Sequence, residues 1–493
     1  MNVVMPRKHI LGLAIAMIIS GPVLAQDNEV IINQTSIVGT LEGNTAEVVQ
    51  SGEIGFTIIN QTGLLNDSAV QQDGVWLEAY NFIEGENNLV NTYQIDFWHV
   101  AYTDIAGDNN NVAISQNGFY NITEALITGD SNTIDVYQEG DFQEAYFSLI
   151  GDSNAATLDQ QGFANWSRVG FNGNNNSFYS LQSGDDNQSG MFNLFGDRNN
   201  FESEQYGDAN VAGIVGVMGN NNSFFVSQEG QSNAFIAYDV LGNNNLMDVM
   251  QTGNANLFLL DPLQGDQNLV LIEQRGDNNE VAAPTGLVGN NNQIDVWQRG
   301  NVNSSLFATV GDDHNVQVRQ TGNNNLSEVV LYGANNTGKV NSRGDNNITG
   351  IAIDGQNNDV DMRQLGDDNI AVIDIIGDDN DVFIDQTGNG NELLVSSDIM
   401  VNANNIAIEQ HGDINLVDIL LAGSNNSLDI LQQGMGNWVA GDDGYFAVAG
   451  DSGLVSITQL GNDNLVLGGQ YGTANVMTVT QVGDFNTATV VQN

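Results

Sequence analysis

The chain is predicted to be all-β, a single elongated β-solenoid of about 20 two-strand coils with 22–24-residue repeats, and three observations predict this. A Gln followed two residues later by Gly recurs every 22 to 24 residues over most of the chain. Apolar residues alternate with polar ones on both sides of each Gln. Gly and Asn mark two corners in every repeat.

The first strand of each coil is written around the Gln. One position per repeat gives Gln50, Gln72, Gln94, Gln116, Gln138, Gln160, Gln182, Gln205, Gln228, Gln251, Gln274, Gln298, Gln320, Ser342, Gln364, Gln386, Gln410, Gln432, Gln459 and Gln481. Ser342 is the one exception, and Asp96 is the one exception to the Gly two residues on. Apolar residues stand two and four before the Gln, as in Ile134 and Val136 before Gln138. That period of two makes a strand with one buried face, and the Gln lies on it. Asn stands five residues after the Gln in 16 of the 20 repeats.

The second strand follows that corner, with apolar residues two, four and six past the Asn, as in Ala371, Ile373 and Ile375. A second corner, Gly-x-x-Asn, closes the coil, for example at Gly129–Asn132 and Gly377–Asn380. Gly and Asn tolerate left-handed backbone angles and so suit both corners. Twenty coils about 4.8 Å apart make a rod of roughly 95 Å. Only four prolines occur, because a ladder needs every N–H, and Pro262 and Pro284 mark the expected irregularities in second strands. The 27-residue step from Gln432 to Gln459 implies an extra loop near Ala440–Tyr445.

A buried Gln is costly unless its carbonyl and both amide hydrogens find partners. Stacked in successive coils, each can donate to one neighbour and accept from the other, and the corner Asn can do the same. Ser342 interrupts this ladder, so local weakness is expected there.

Residues 1–25 read as a secretory signal peptide: Arg7 and Lys8 precede the apolar run Ile10–Ile19, and Val23-Leu24-Ala25 supplies small residues for cleavage. The expected organisation is this signal, an N-terminal leader at 26–43 and repeats at 44–493. No transmembrane span is expected once the signal is removed. The absence of cysteine leaves the fold to its ladders and core, and suits passage of an unfolded chain through an export channel. A formal charge of −51, from 61 acidic and 10 basic residues, argues against nucleic-acid binding, which needs clustered Lys and Arg.

The remaining candidate sites are weak. Acidic pairs at Asp312-Asp313, Asp367-Asp368, Asp378-Asp379 and Asp442-Asp443 could hold calcium, but they lack a calcium-loop spacing and read better as a solvated, repelling surface. The histidines stand alone, with His314 in place of a corner Asn. No cofactor and no metal site is expected. Arg319 and Arg363 point outward and scatter among repeats, so no enzyme is expected. Trp76, Tyr137 and Trp297 read as isolated outward aromatics. Ice binding would need a regular outer threonine lattice, and the residues before the ladder Gln do not form one.

The unit Asn-x-φ-x-φ-x-Gln-x-Gly-x-x-Asn-x-φ-x-φ, with φ apolar, resembles the curlin repeat of bacterial curli fibres. The likeness covers roughly Asn44 to Asn493, with an earlier half-match from Asn28 through Gln34 to Ser36. It implies a secreted structural protein, a curli-like functional amyloid subunit that polymerises into extracellular fibres for adhesion and biofilm matrix. It also implies export through the periplasm and an outer-membrane machinery, and a nucleator subunit as partner.

The alternative is a non-amyloid monomeric surface adhesin or stalk of the same fold. The sequence departs from the family pattern in lacking a second Gln on most second strands, where Ile127, Asp239, Leu331 and Ile375 are read at that place. The second Gln remains near the ends, at Gln61, Gln470 and Gln492, which are the expected end-stacking residues of a head-to-tail fibre. The strand running from Asn486 to Gln492 has no Pro, charge cluster or helix to blunt it, so it reads as an open template.

Overall fold

The computed structural model describes residues 28–36, 43–441 and 444–493. The signal-peptide expectation and the pair Asp442-Asp443 lie outside them. The chain winds into a β-solenoid of about 20 turns in which strands alternate between two sheets. All pairings within the sheets are parallel, between strands one full coil apart, as Thr133–Asp141 pairs with Asn111–Phe119 and Ala155–Phe163. Among the described residues no helix is long and apolar enough to cross a membrane.

The first sheet has 20 strands, from Thr45–Glu53 to Val476–Val482, and holds the Gln column in strict register. Among the described residues the second sheet has 24 strands, six of which are halves of three interrupted rungs, leaving 21 rungs from Glu29–Thr35 to Thr487–Gln492. Glu29–Thr35, inside the segment read as a leader, is the outermost of these and pairs with Phe56–Leu64, so that Gln34 lies on Gln61.

The core between the sheets is a set of columns rather than a jumble. Along Thr133–Asp141, Ile134, Val136 and Gln138 are buried and their neighbours are not. Like residues meet within the columns in places: Phe178 and Phe201 stack with centroids 5.5 Å apart and an interplanar angle of 6°. Stacking of this kind buries each coil only against its neighbours, so stability accumulates along the rod.

Repeats longer than 22 residues absorb the surplus in the second sheet or just past its strand. In three of the four 23-residue repeats it is a bulge, and the bulges stack: Asn193, Gly216 and Asp239 all take positive φ at one place in successive coils. This corrects the reading of Asp239 as the second-Gln equivalent. Asp239 turns outward, and buried Val240 takes the inner column beside Val217 and Leu263. Pro262 and Pro284 split their rungs, into Leu257–Leu260 with Leu263–Gln264 and Glu280–Ala283 with Leu287–Val288; the Asp261–Pro262 bond is cis. The extra residues before Gln459 separate Trp438–Ala440 from Phe446–Ala449.

The Gly of each Gln-x-Gly has a steric reason. At Gly230, φ is +118°, and a Cβ would stand 2.0 Å from the carbonyl oxygen of Gly253 in the next coil. The position therefore selects Gly, and Asp96, at φ 80°, is the one side chain that stands there, still in register with Gly74 and Gly118.

Candidate functional site

The functional groups of this fold are its stacked amides and the places where the stacks run out. Every ladder Gln from Gln72 to Gln459 is essentially inaccessible to solvent. Gln50 Nε2 donates to Gln72 Oε1 at 2.7 Å, Gln72 to Gln94 at 2.8 Å, and Gln251 to Gln274 at 2.8 Å. The same bond repeats to Gln459 and Gln481, at 2.9 Å. The second amide hydrogen goes to a backbone carbonyl opening a second strand, as from Gln94 to Glu78 O at 3.0 Å and Gln251 to Ala234 O at 3.0 Å. One carbonyl and two hydrogens are thereby satisfied without water. In every step the donor lies toward the N-terminal end and the acceptor toward the C-terminal end.

The corner Asn ladders run the opposite way. Asn88 Nδ2 donates back to Asn66 Oδ1 at 2.9 Å and Asn110 to Asn88 at 3.1 Å, while the other hydrogen reaches a Gly carbonyl in the following coil, Gly107 O at 2.7 Å for Asn88. The same Oδ1 also accepts the backbone N–H of the next Asn.

Carboxylates in the outer corners do a related job. Asp312 Oδ1 accepts from Asn290 N and Nδ2 at 2.7 and 3.0 Å, Asp367 from Asp345 N at 2.8 Å, and Asp378 from Gln356 N at 2.8 Å. Among the described residues no three His, Cys, Asp or Glu side chains converge as a metal site would require.

At Ser342 the ladder changes. Ser342 is buried, its Oγ donates to Gln364 Oε1 at 3.3 Å, and Gln320 Nε2 bonds Ser304 O alone. In the second sheet Gln columns exist only at the two ends: Gln34 donates to Gln61 at 2.7 Å and Gln470 to Gln492 at 3.3 Å. Between them the column is apolar, as through Ile83, Ile105, Ile127 and Leu149, except at buried Thr309 and Ser397.

A family model described as the curlin associated repeat matches residues 129–162, 151–179, 289–322 and 355–388. Over these residues the chain carries curlin repeats. No curated protein matches it. Curlin repeats in a β-solenoid mark it as a curli-like structural, fibre-type protein of the kind found on the extracellular surface. Arg319 and Arg363 stand exposed on outer positions two rungs apart, and Arg363 pairs only with Asp385, at 3.5 Å.

Two features of this chain escape the repeat pattern. His99 and His314 both replace corner Asn. In each, Nδ1 accepts a backbone N–H one coil on, from Asn121 at 3.2 Å and Asn336 at 3.3 Å, and Nε2 meets a carbonyl four residues back, Ile95 O and Val310 O. The ring imitates the Asn amide, and only the neutral ring can.

Trp76, read as isolated, is not. It stacks on Trp98 with centroids 5.2 Å apart, and the strip continues through Tyr120, Phe142 and Phe163 at 6.4, 5.6 and 5.4 Å. These rings are exposed, and the first four stand at φ between 60° and 64°, where bulky residues are rare.

Two predictions concern these groups. Gln251→Leu strands the donor of Gln228 and the acceptor of Gln274, each costing about 1–3 kcal/mol when buried. Denaturant titration of the monomer should show that loss, whereas Ser342→Gln should raise the midpoint.

Burial pushes the His99 and His314 rings below the ordinary value of 6.5. The unfolded chain therefore binds more protons between the folded and ordinary values. The stability of the neutral rings is full above about 6.5 and is lost as pH falls through the lowered folded values. A His99→Asn, His314→Asn variant should gain stability relative to the parent as pH is lowered from 8 to 5, followed by urea melts.

Proposed function

We propose that the protein is a secreted subunit that polymerises head to tail into extracellular amyloid fibres for adhesion and biofilm matrix. Residues 1–25 act as the signal, 26–43 as a leader that adds to the stack, and 44–493 as the repeat body. Export runs through the periplasm and an outer-membrane machinery, and a nucleator subunit starts the fibre.

The observation that carries this reading is the polarity of the ladders at the two open ends. Gln481 and Gln492 each place one amide hydrogen on their own backbone, at Leu465 O and Val476 O, and the other has no partner among the described residues. At the opposite end, Gln50 Oε1 and Gln34 Oε1 accept nothing from the described residues. Donors at one end and acceptors at the other form a heterologous contact that does not close, and such contacts grow filaments. Inward side chains are also uncovered at the N-terminal end, where Val30 is 44 % and Ile32 43 % exposed. An open parallel edge over an apolar column is a template for another strand.

A second reading, a monomeric surface adhesin or stalk, is favoured by the exposed aromatic strip from Trp76 to Phe163, which suits contact with a flat apolar or sugar surface.

One experiment separates the two. Purified mature chain at neutral pH, followed by electron microscopy and thioflavin fluorescence, should form fibres with a reflection at about 4.7–4.8 Å along the axis. Gln481→Leu with Gln492→Leu should slow elongation severalfold and leave the monomer folded. Elongation at the parental rate counts against ladder docking, and the absence of fibres favours the stalk.

A further inference from the structure

The two sheets run out of step, and this fixes how one copy meets the next. Strands alternate between the sheets, yet the outermost described rungs at both ends, Glu29–Thr35 and Thr487–Gln492, belong to the second sheet. Among the described residues, twenty first-sheet and 21 second-sheet rungs make an odd total. A copy added without turning would put second sheet on second sheet. It would then leave a first-sheet place one strand wide vacant between Val476–Val482 and the next copy's Thr45–Glu53.

We infer that successive copies, if they stack head to tail as proposed above, are related by a half-turn about the long axis, so that each sheet of one copy continues as the other sheet of the next. Glu29–Thr35 of the next copy then lies on Val476–Val482, and its Thr45–Glu53 lies on Thr487–Gln492. No rung is missing from the alternation.

Four independent features fit this joint. The strands it brings together match: Thr45-Ala-Glu-Val-Val-Gln50 and Thr487-Ala-Thr-Val-Val-Gln492 are the same at five of six positions. Like therefore stacks on like, as it does in places inside the chain. In the other sheet Met477 meets Val30, Val479 meets Ile32 and Gln481 meets Gln34, which sets inward residue on inward residue throughout.

The hydrogen-bond polarity also agrees. Gln481 Nε2 faces the acceptor of Gln34, and Gln492 Nε2 faces that of Gln50. The Asn corners, whose ladders run in reverse, bring the donors of Asn28 and Asn44 to the acceptors of Asn475 and Asn486. Charge is low where copies meet: after Asp463 the only charged side chain is Asp484, in a chain of formal charge −51. Glu29 falls beside Val476 and Glu47 beside Thr489, so no carboxylates oppose one another.

The half-turn also accounts for the placement of the second-sheet glutamines. The long ladder ends at Gln459 and Gln481 and passes onto the next copy's Gln34 and Gln61. The short pair Gln470 and Gln492 passes onto Gln50 and Gln72. Second-sheet Gln is needed only where the partner's Gln column arrives, and everywhere else that column is free to be apolar.

Because the chain has no cysteine, engineered pairs report the joint directly. Neighbouring parallel strands place Cα atoms about 4.8 Å apart, within disulfide reach. Asn33→Cys with Thr480→Cys pairs across the half-turn joint, and Asn33→Cys with Val491→Cys pairs across the unturned one; all three positions are exposed in the monomer. Each variant is first checked for parental circular dichroism, then assembled, oxidised and run on a non-reducing gel.

The expected result is a ladder of covalent multimers from the first pair and single chains from the second. The reverse pattern, or fibres from the first pair without any multimers, overturns the half-turn. Failure of the parent chain itself to form fibres overturns the head-to-tail reading on which it rests.

Discussion

The structure depends on one constraint: a primary amide buried between two sheets can satisfy its carbonyl and both hydrogens only if the same residue lies directly above and below it. Unpaired, such a group would cost several kcal/mol. The spacing of parallel strands, about 4.8 Å, brings one Gln within about 2.8 Å of the next. Once Gln is placed at a core position, every coil must therefore supply it in register. A slip of one residue would turn the amide out and the outer face in.

The rest of the repeat follows from holding that register. A side chain at the position two past the Gln crowds the carbonyl of the next coil, as at Gly230 against Gly253, so Gly stands there in every repeat but the one with Asp96. Surplus residues are admitted on the second sheet, which has no Gln ladder to disturb in mid-rod, or just past its strand, as at 398–400 after Glu392–Ser397. The stacked bulges at Asn193, Gly216 and Asp239 and the split rungs at Pro262 and Pro284 all lie in that sheet. The oppositely directed Gln and Asn ladders give each end both donors and acceptors. An end is consequently incomplete in a specific way, which the proposed head-to-tail contact with a second copy completes.

Most of the fold was legible because period-two burial and left-handed corners are local demands that residue type reveals directly. The Gln column, both corners and the interruption at Ser342 can be written down without coordinates. What lay hidden depended on stacking between coils. Counting from the Gln put Asp239 on the inner column, but a bulge shifts Val240 there, and only the neighbouring bulges reveal the shift.

Trp76 reads as solitary in one dimension and becomes part of a strip when coils are stacked. His99 stands at the first corner and His314 at the second, three residues after Gly311, and the five-residue distance of His99 from Gln94 was the available signal. Gln34 was visible as a half-match, while its place on Gln61 in the second sheet required the pairing itself. The polarity of the amides, on which the proposed assembly rests, is a property of geometry and has no sequence signature.

The most direct test of the account is hydrogen exchange at the Gln side-chain amides of the folded monomer, resolved by residue. If the ladder holds the coils together, the Nε2 hydrogens of Gln138, Gln228 and Gln386 should exchange as slowly as the buried backbone N–H groups beside them, and those of exposed Gln161 should exchange freely. Equal, rapid exchange at all four would mean that the amides are not locked to their neighbours, and would contradict the ladder as the basis of the fold.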